Sequence, residues 1–299
     1  MRKLVRITSS GLIAALMIIS GLTFTTVAAA AEEPEPRESI TLSPVNKHYQ
    51  FDAGSTKQDE ITVVNDGEVA YDFILYARPY SIQNPSYTSP DFTASVANAD
   101  AYQWVQFDQV RHHIEPNQTI KVPYTIRIPK DAAPGGHYGV LFAETQPSGK
   151  VESVARKKRV GMIMYATVKG QYLMEGKQLD SAIAFLQFRA PLTANVTVQN
   201  DGNSDFLVNA EYKVSDIFGR QKYSEAKDYP VLPKTKRQIT LNWDGAPWFG
   251  LYKVEVKTSF LDQKHSDSSY VLIAPRWLLI VLAVTIVGGV LYVVLRRRH

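Results

Sequence analysis

Cysteine is absent from the 299-residue chain. Its absence excludes a disulfide framework, thiolate zinc and iron–sulfur sites, and a cysteine nucleophile. Histidine is scarce, with six in all. The adjacent pair His112-His113 would point to opposite faces of a strand and so cannot chelate one ion. His137 could join either only through folding, and ordinary half-exposed histidines are the simpler reading against the ligand count zinc requires. HExxH, GxSxG, SxxK and P-loop patterns are missing, which removes the common catalytic motifs. The acids Asp59-Glu60 and Asp66/Glu68 are read as turn residues held by solvation. These absences predict a protein that is not an enzyme and carries no cofactor or metal.

Long apolar runs occur only at the two ends. Arg2, Lys3 and Arg6 precede Gly11–Phe24, and small residues follow to Ala31. This is the pattern of a secretory signal peptide over residues 1–31, with Ala28-Ala29-Ala30 or Ala29-Ala30-Ala31 at the cut. Trp277–Leu295 carries no charge; as a helix it would span about 28 Å, close to a hydrocarbon core. Trp277 and Tyr292 suit the two interfaces, and the tail 296–299, Arg-Arg-Arg-His, would stay cytoplasmic. The expectation is a single-pass protein of the cell membrane, its body outside and its tail inside.

That placement changes the meaning of the net charge of +4. Leader and tail hold three basic residues each and no acids, which leaves 27 bases against 29 acids elsewhere. The exported part is slightly acidic and offers no basic footprint for nucleic acid.

Between the two runs, alternation dominates. Ile120, Val122, Tyr124, Ile126 and Ile128 take every second position, as do Tyr71, Phe73 and Leu75, and Tyr138, Val140 and Phe142. Period two over short runs, with turn residues between, predicts strands with one buried face. Three features then recur in one order. Asn65-Asp66-Gly67 is echoed by Asn200-Asp201-Gly202, each read as a turn with glycine at positive φ. Ile114-Glu115-Pro116 is echoed by Val231-Leu232-Pro233, and Gly136-His137-Tyr138 by Gly250-Leu251-Tyr252.

The repeat predicts an all-β chain of two tandem immunoglobulin-like sandwiches followed by one C-terminal transmembrane helix. A charged linker over 32–38 leads into the first sandwich at 39–170; the second covers 171–274, and the helix 277–295. Each Gly-x-Tyr tyrosine is expected as a corner tyrosine, its hydroxyl tied to the preceding turn. Gly67 and Tyr138 lie 71 residues apart but Gly202 and Tyr252 only 50, an excess of 21. The stretch 81–101 has almost that length, contains Asn84-Pro85 and Ser89-Pro90, and reads as a long loop inserted in the first sandwich.

Loops on a rigid sandwich commonly carry function. Tyr80, Tyr87, Phe92, Tyr102 and Trp104 crowd around this one, and aromatic faces with polar tips suit glycans and peptides. Tyr87 and Phe92 are the expected ligand contacts, with Tyr80 and Tyr102 at the loop base; Trp104 is assigned to the core. The rival site is the basic run Arg156, Lys157, Lys158 and Arg159, which a solvated hairpin rim would also explain. Asn117-Gln118-Thr119 and Asn195-Val196-Thr197 match the glycosylation sequon, a frequent chance pattern.

Ser43-Pro44, Tyr49–Gly54 leading into Asp59–Gly67, and above all Pro129-Lys130-Asp131-Ala132-Ala133-Pro134-Gly135-Gly136-His137-Tyr138-Gly139-Val140-Leu141-Phe142 resemble WxL-interacting proteins, which are cell-surface proteins of Gram-positive bacteria. The resemblance implies a peptidoglycan-binding immunoglobulin-like domain, a second sandwich, one span and a basic tail. It implies peptidoglycan or another wall polymer as ligand and a WxL-type surface protein as partner. The first sandwich is also distantly similar to pilus-chaperone domains, though no basic anchor pair carries over. The alternative function is therefore a membrane-anchored assembly factor that receives secreted subunits by strand addition.

Overall fold

A computed structural model describes residues 37–93, 96–146 and 157–298. The leader, residues 32–36 of the linker, Arg156 and His299 lie outside the described residues. The first eleven strands are β1 (Thr41–Ser43), β2 (Asn46–Phe51), β3 (Thr56–Val64), β4 (Tyr71–Pro79), β5 (Ser81–Ile82), β6 (Pro90–Asp91), β7 (Val105–Phe107), β8 (Arg111–Ile114), β9 (Thr119–Arg127), β10 (Gly135–Thr145) and β11 (Arg159–Val168). A four-stranded sheet β1-β3-β9-β7 faces a five-stranded sheet β2-β11-β10-β4-β8. Pairing is antiparallel except between β2 and β11, which run parallel over Asn46–Phe51 and Ile163–Val168. Ile61, Val63, Phe73, Leu75 and Ile126 fill the space between the sheets. Trp104 joins them, with Phe107 packed against that core.

The second sandwich holds β12 (Gly176–Ala182), β13 (Leu186–Gln187), β14 (Leu192–Asn200), β15 (Phe206–Asp216), β16 (Gln221–Val231), β17 (Lys236–Trp243), β18 (Gly250–Phe260) and β19 (Gln263–Ile273). A three-stranded sheet β12-β14-β17 packs on a five-stranded sheet β13-β19-β18-β15-β16. The chain is thus all-β with two immunoglobulin-like sandwiches in tandem, and no sheet shares strands from both. One helix, α1 (Arg276–Arg298), follows directly and is long and apolar enough to cross a bilayer.

The repeat has a physical basis that differs from the expected one. Neither Gly67 nor Gly202 has positive φ. A side chain at Gly67 would collide with the Arg37 carbonyl, and one at Gly202 with the Leu173 carbonyl, where the entering chain crosses the turn. The two asparagines are fully buried. Asn65 Nδ2 donates to Val69 O (2.8 Å) and Glu115 O (3.1 Å), and its Oδ1 accepts from Gly67 N (3.0 Å). Asn200 Nδ2 donates to Ser204 O and Val231 O, both at 2.8 Å, and its Oδ1 accepts from Gly202 N at 2.8 Å. In each sandwich one amide therefore closes its own turn and ties it to a distant segment. Two assignments change. Asp59 and Glu60 lie on strand β3 rather than in a turn, and Asp59 binds Lys47 (2.6 Å) and the Tyr49 hydroxyl (2.8 Å). The inserted stretch is not simply a loop, because β5 and β6 form a small hairpin and a 3₁₀ turn follows at Ala101–Trp104.

Leaving buried amide partners unsatisfied costs about 1–3 kcal/mol per group. Asn65→Ala and Asn200→Ala should each lower the melting temperature by roughly 5 °C or more. Circular dichroism of the detergent-solubilised protein checks this; an unchanged melt for either would remove the asparagine from the account.

Candidate functional site

Strand β10 is buried on both faces. Leu141 and Ala143 point into the first sandwich, whereas Tyr138, Val140 and Phe142 point away from it, into a second cluster with Tyr80, Tyr165 and Leu232. The period-two set Tyr138, Val140 and Phe142 therefore does not line the sandwich core. The insert covers this outer face. Phe92 meets Phe142 edge-on at 4.9 Å, and Tyr80 lies 6.3 Å from Tyr165.

The insert also grips the second sandwich. Tyr87 adopts φ 57°, an uncommon conformation for a residue other than glycine. Its hydroxyl bonds Thr235 Oγ1 at 2.7 Å and accepts the Leu232 backbone N–H at 2.9 Å. Arg237 stacks its guanidinium 4.2 Å from the Tyr87 ring. Two residues away in the chain, the Pro85 carbonyl accepts from Gln238 N at 2.7 Å, on the edge of β17. The expected ligand-contact residue Tyr87 is thus built into the junction between sandwiches, where its hydroxyl is already committed.

Tyr138 is the second pin. Its hydroxyl donates to Asp205 Oδ1 (2.8 Å) and accepts from Asp205 N (2.9 Å), across the junction. It is therefore not a corner tyrosine tied to its own turn. Gly136 makes this possible, because a side chain there would collide with the Tyr138 hydroxyl. Gly250 stands in the same relation to the Tyr252 ring. Gly136 N also donates to Asn203 O at 2.9 Å. Asp205 is almost fully buried, with His48 3.9 Å away. Burial holds its carboxyl above the ordinary value, against the opposing pull of the Tyr138 bond and His48. Burial and the neighbouring carboxylate both raise the Tyr138 hydroxyl.

Where insert and second sandwich meet, they leave a groove of about 580 Å³. Ile82, Val96 and Ala97 contribute apolar surface, with Tyr80, Tyr138 and Leu232 buried beneath it, and Gln83, Asn98 and Lys234 supply polar groups. An apolar floor with amides at the rim can hold an extended peptide or the apolar face of a sugar through contact and hydrogen bonds.

The predicted residues converge only in part. Tyr80 lines the groove, and Tyr87 braces it from the second sandwich. Phe92 lies under Arg159, whose guanidinium sits 5.6 Å from its ring and 4.5 Å from Phe142. The aromatic insert and the basic run therefore share a boundary. Lys157 pairs with Glu144 at 3.5 Å, and Lys158 donates to the Glu38 carbonyl. Tyr102 lies on the 3₁₀ turn outside the groove lining, its hydroxyl accepting from Gln103 at 3.2 Å. Sequence reasoning missed Asp205, Arg237, Asn203 and Lys234, which reach the site from the other sandwich. The histidines stay apart. His113 binds Asp72 and Glu115, and His137 binds Asp100 at 2.7 Å. Among the described residues no group of three or more potential ligands could hold a metal.

No family model matches the chain. A curated relative, 1-deoxy-D-xylulose-5-phosphate synthase of Dechloromonas aromatica, is 26% identical over 103 residues, 34% of this chain and 16% of its own length. Solved structures similar to the chain include the class 5 fimbriae chaperone CfaA, at 11% identity and TM-score 0.38, covering 79% of this chain and 100% of that one. The Salmonella enterica SafA pilin–SafB chaperone complex gives 11% identity and TM-score 0.40 over 77% and 95% of the two chains. The E. coli chaperone DraB gives 11% and 0.37 over 80% and 97%.

The Tyr138–Asp205 pair makes a measurable claim. A double-mutant cycle of Tyr138→Phe and Asp205→Asn should show a coupling of about 1–2 kcal/mol. Because the Asp205 carboxyl is raised in the folded protein, its stabilising contribution is fully present below the unfolded value. It is lost as pH rises through the folded value. The stability of Asp205→Asn relative to the native chain should therefore increase between pH 4 and pH 7, read as the difference in melting temperature. A constant difference would mean that the carboxyl titrates normally.

Proposed function

We propose that this is a non-catalytic, membrane-anchored binding protein of the bacterial cell surface, with a wall polymer as the ligand of the groove. The observation that carries this reading is the groove itself, which forms only where the two sandwiches and the insert come together. Its apolar floor and amide-bearing rim suit a glycan or glycopeptide. The resemblance to WxL-interacting proteins supports peptidoglycan as the polymer and a WxL-type protein as a further partner. The helix α1 supports anchoring, and the arginines that close the chain support an external body with an internal tail. On this reading Tyr80 underlies the binding surface, Tyr87 and Phe92 hold the insert in place, and Lys157, Lys158 and Arg159 form a flanking patch.

A second reading is an assembly factor that takes secreted subunits by strand addition. It is favoured by β16, an eleven-residue strand whose outer edge pairs with no other strand among the described residues. Lys222, Glu225, Lys227 and Asp228 lie along it, and charges of this kind commonly discourage edge pairing. The outer edge of β11 is taken by β2 over Ile163–Val168.

Co-sedimentation of the detergent-solubilised chain with purified peptidoglycan separates the two. The native chain should pellet. Ala97→Trp, which fills the groove without touching the junction bonds, should weaken pelleting about tenfold, equivalent to about 1.4 kcal/mol. Neutralising Lys157, Lys158 and Arg159 should weaken it only at low salt. Equal pelleting by Ala97→Trp would contradict the groove as the site. Failure of the native chain to pellet, with client binding lost on blocking the β16 edge, would establish the assembly-factor reading.

A further inference from the structure

The end of the second sandwich from which α1 departs is unusually apolar for a surface. The register brings four segments there. The β15–β16 hairpin turns at Asp216–Arg220, the loop before β18 covers residues 244–249, and Asp216 lies opposite Tyr252 in the sheet. The start of β18 pairs with the end of β19, and β13 joins that same end through Leu186 and Gln187.

Their tips expose large apolar side chains. Phe218 is 76% exposed, Trp248 64% and Phe185 63%, with Ile217, Phe249 and Phe188 also open. Lone exposed hydrophobics are ordinary, but several gathered at one end mark an interaction surface.

Two observations name the occupant. First, the patch is continuous with the helix. Trp248 stacks on Trp277 at 6.3 Å and 22°, and Trp277 is the second residue of α1. Second, arginines stand among the aromatics. Arg276 lies 4.8 Å from the Phe188 ring, Arg220 lies 5.3 Å from the Phe218 ring, and Arg189 is exposed beside a cleft of about 420 Å³ shared by Trp248 and Trp277. The nearby acid Asp216 is paired with Arg220 and Lys222, and Asp244 is the other acid at this end. Aromatics interleaved with arginines at the mouth of an apolar helix match the headgroup layer, where rings sit at the boundary and guanidinium groups meet phosphate.

We propose that this end of the second sandwich is a lipid-interface platform. Phe218, Trp248 and Phe249 dip into the outer headgroup layer while Arg189, Arg220 and Arg276 bind phospholipid phosphates. The body is then held on the bilayer at a fixed attitude rather than swinging on α1. The proposal rests on the anchored reading, and the test keeps the two apart.

The absence of cysteine permits single nitroxide labels in the full chain. Phe218→Cys and Trp248→Cys, with Lys264→Cys at the far end of β19 as reference, are labelled and reconstituted in phosphatidylcholine vesicles. Labels at 218 and 248 should be relaxed more by oxygen, which partitions into lipid, than by a water-soluble nickel chelate, with the reverse at 264. An aqueous pattern at 218 and 248 in a chain that resists alkaline extraction overturns the platform and leaves anchoring intact. A chain that washes out at alkaline pH overturns both. Spin–spin broadening between copies at 218 or 248 overturns the platform in favour of a second copy on this face.

Discussion

The structure depends on one contact: the Tyr138 ring crossing Gly136 so that its hydroxyl meets the Asp205 side chain and backbone. A hydroxyl that both donates and accepts satisfies two buried groups at once, which leaving water would otherwise penalise. The contact also decides what β10 must be. With Tyr138 turned outward, Val140 and Phe142 follow on the same face, and that face needs a cover. The insert supplies it, and Tyr87 carries the cover on to Thr235 and Leu232. The groove is the space this bracing leaves.

The two sandwiches share a turn, yet the same motif has diverged in use. Asn65 and Asn200 make equivalent bonds and are interchangeable in role. Gly136/Tyr138 and Gly250/Tyr252 share the steric relation of glycine to ring. Only the first tyrosine points its hydroxyl at another sandwich. One copy of the motif joins two sandwiches; the other lies at the end where the polypeptide enters α1.

Much of this was legible in residue order. Alternation marked the strands, and the 21-residue excess located the insert. What the insert does was not legible, because periodicity shows that a face is buried without showing what buries it. A signal did exist: Gly135–Ala143 has no solvent-facing alternate, the mark of a strand covered on both sides. The partners of Tyr87 and Tyr138 lie 148 and 67 residues away, beyond any local pattern. Glycines 67 and 202 were misread for a related reason, since a chain crossing close by demands glycine as firmly as positive φ does.

Function on this account follows from rigidity. A groove shaped by two sandwiches and an insert keeps its form only if the three hold together. The most direct measurement is the distance between nitroxide labels at Gln58→Cys on β3 and Lys257→Cys on β18, one exposed position in each sandwich. Double electron–electron resonance on the full chain should give a single narrow distribution that broadens when Tyr87→Ala and Tyr138→Phe are combined. A broad distribution in the otherwise native chain would contradict the account, since sandwiches that move independently have no standing groove between them.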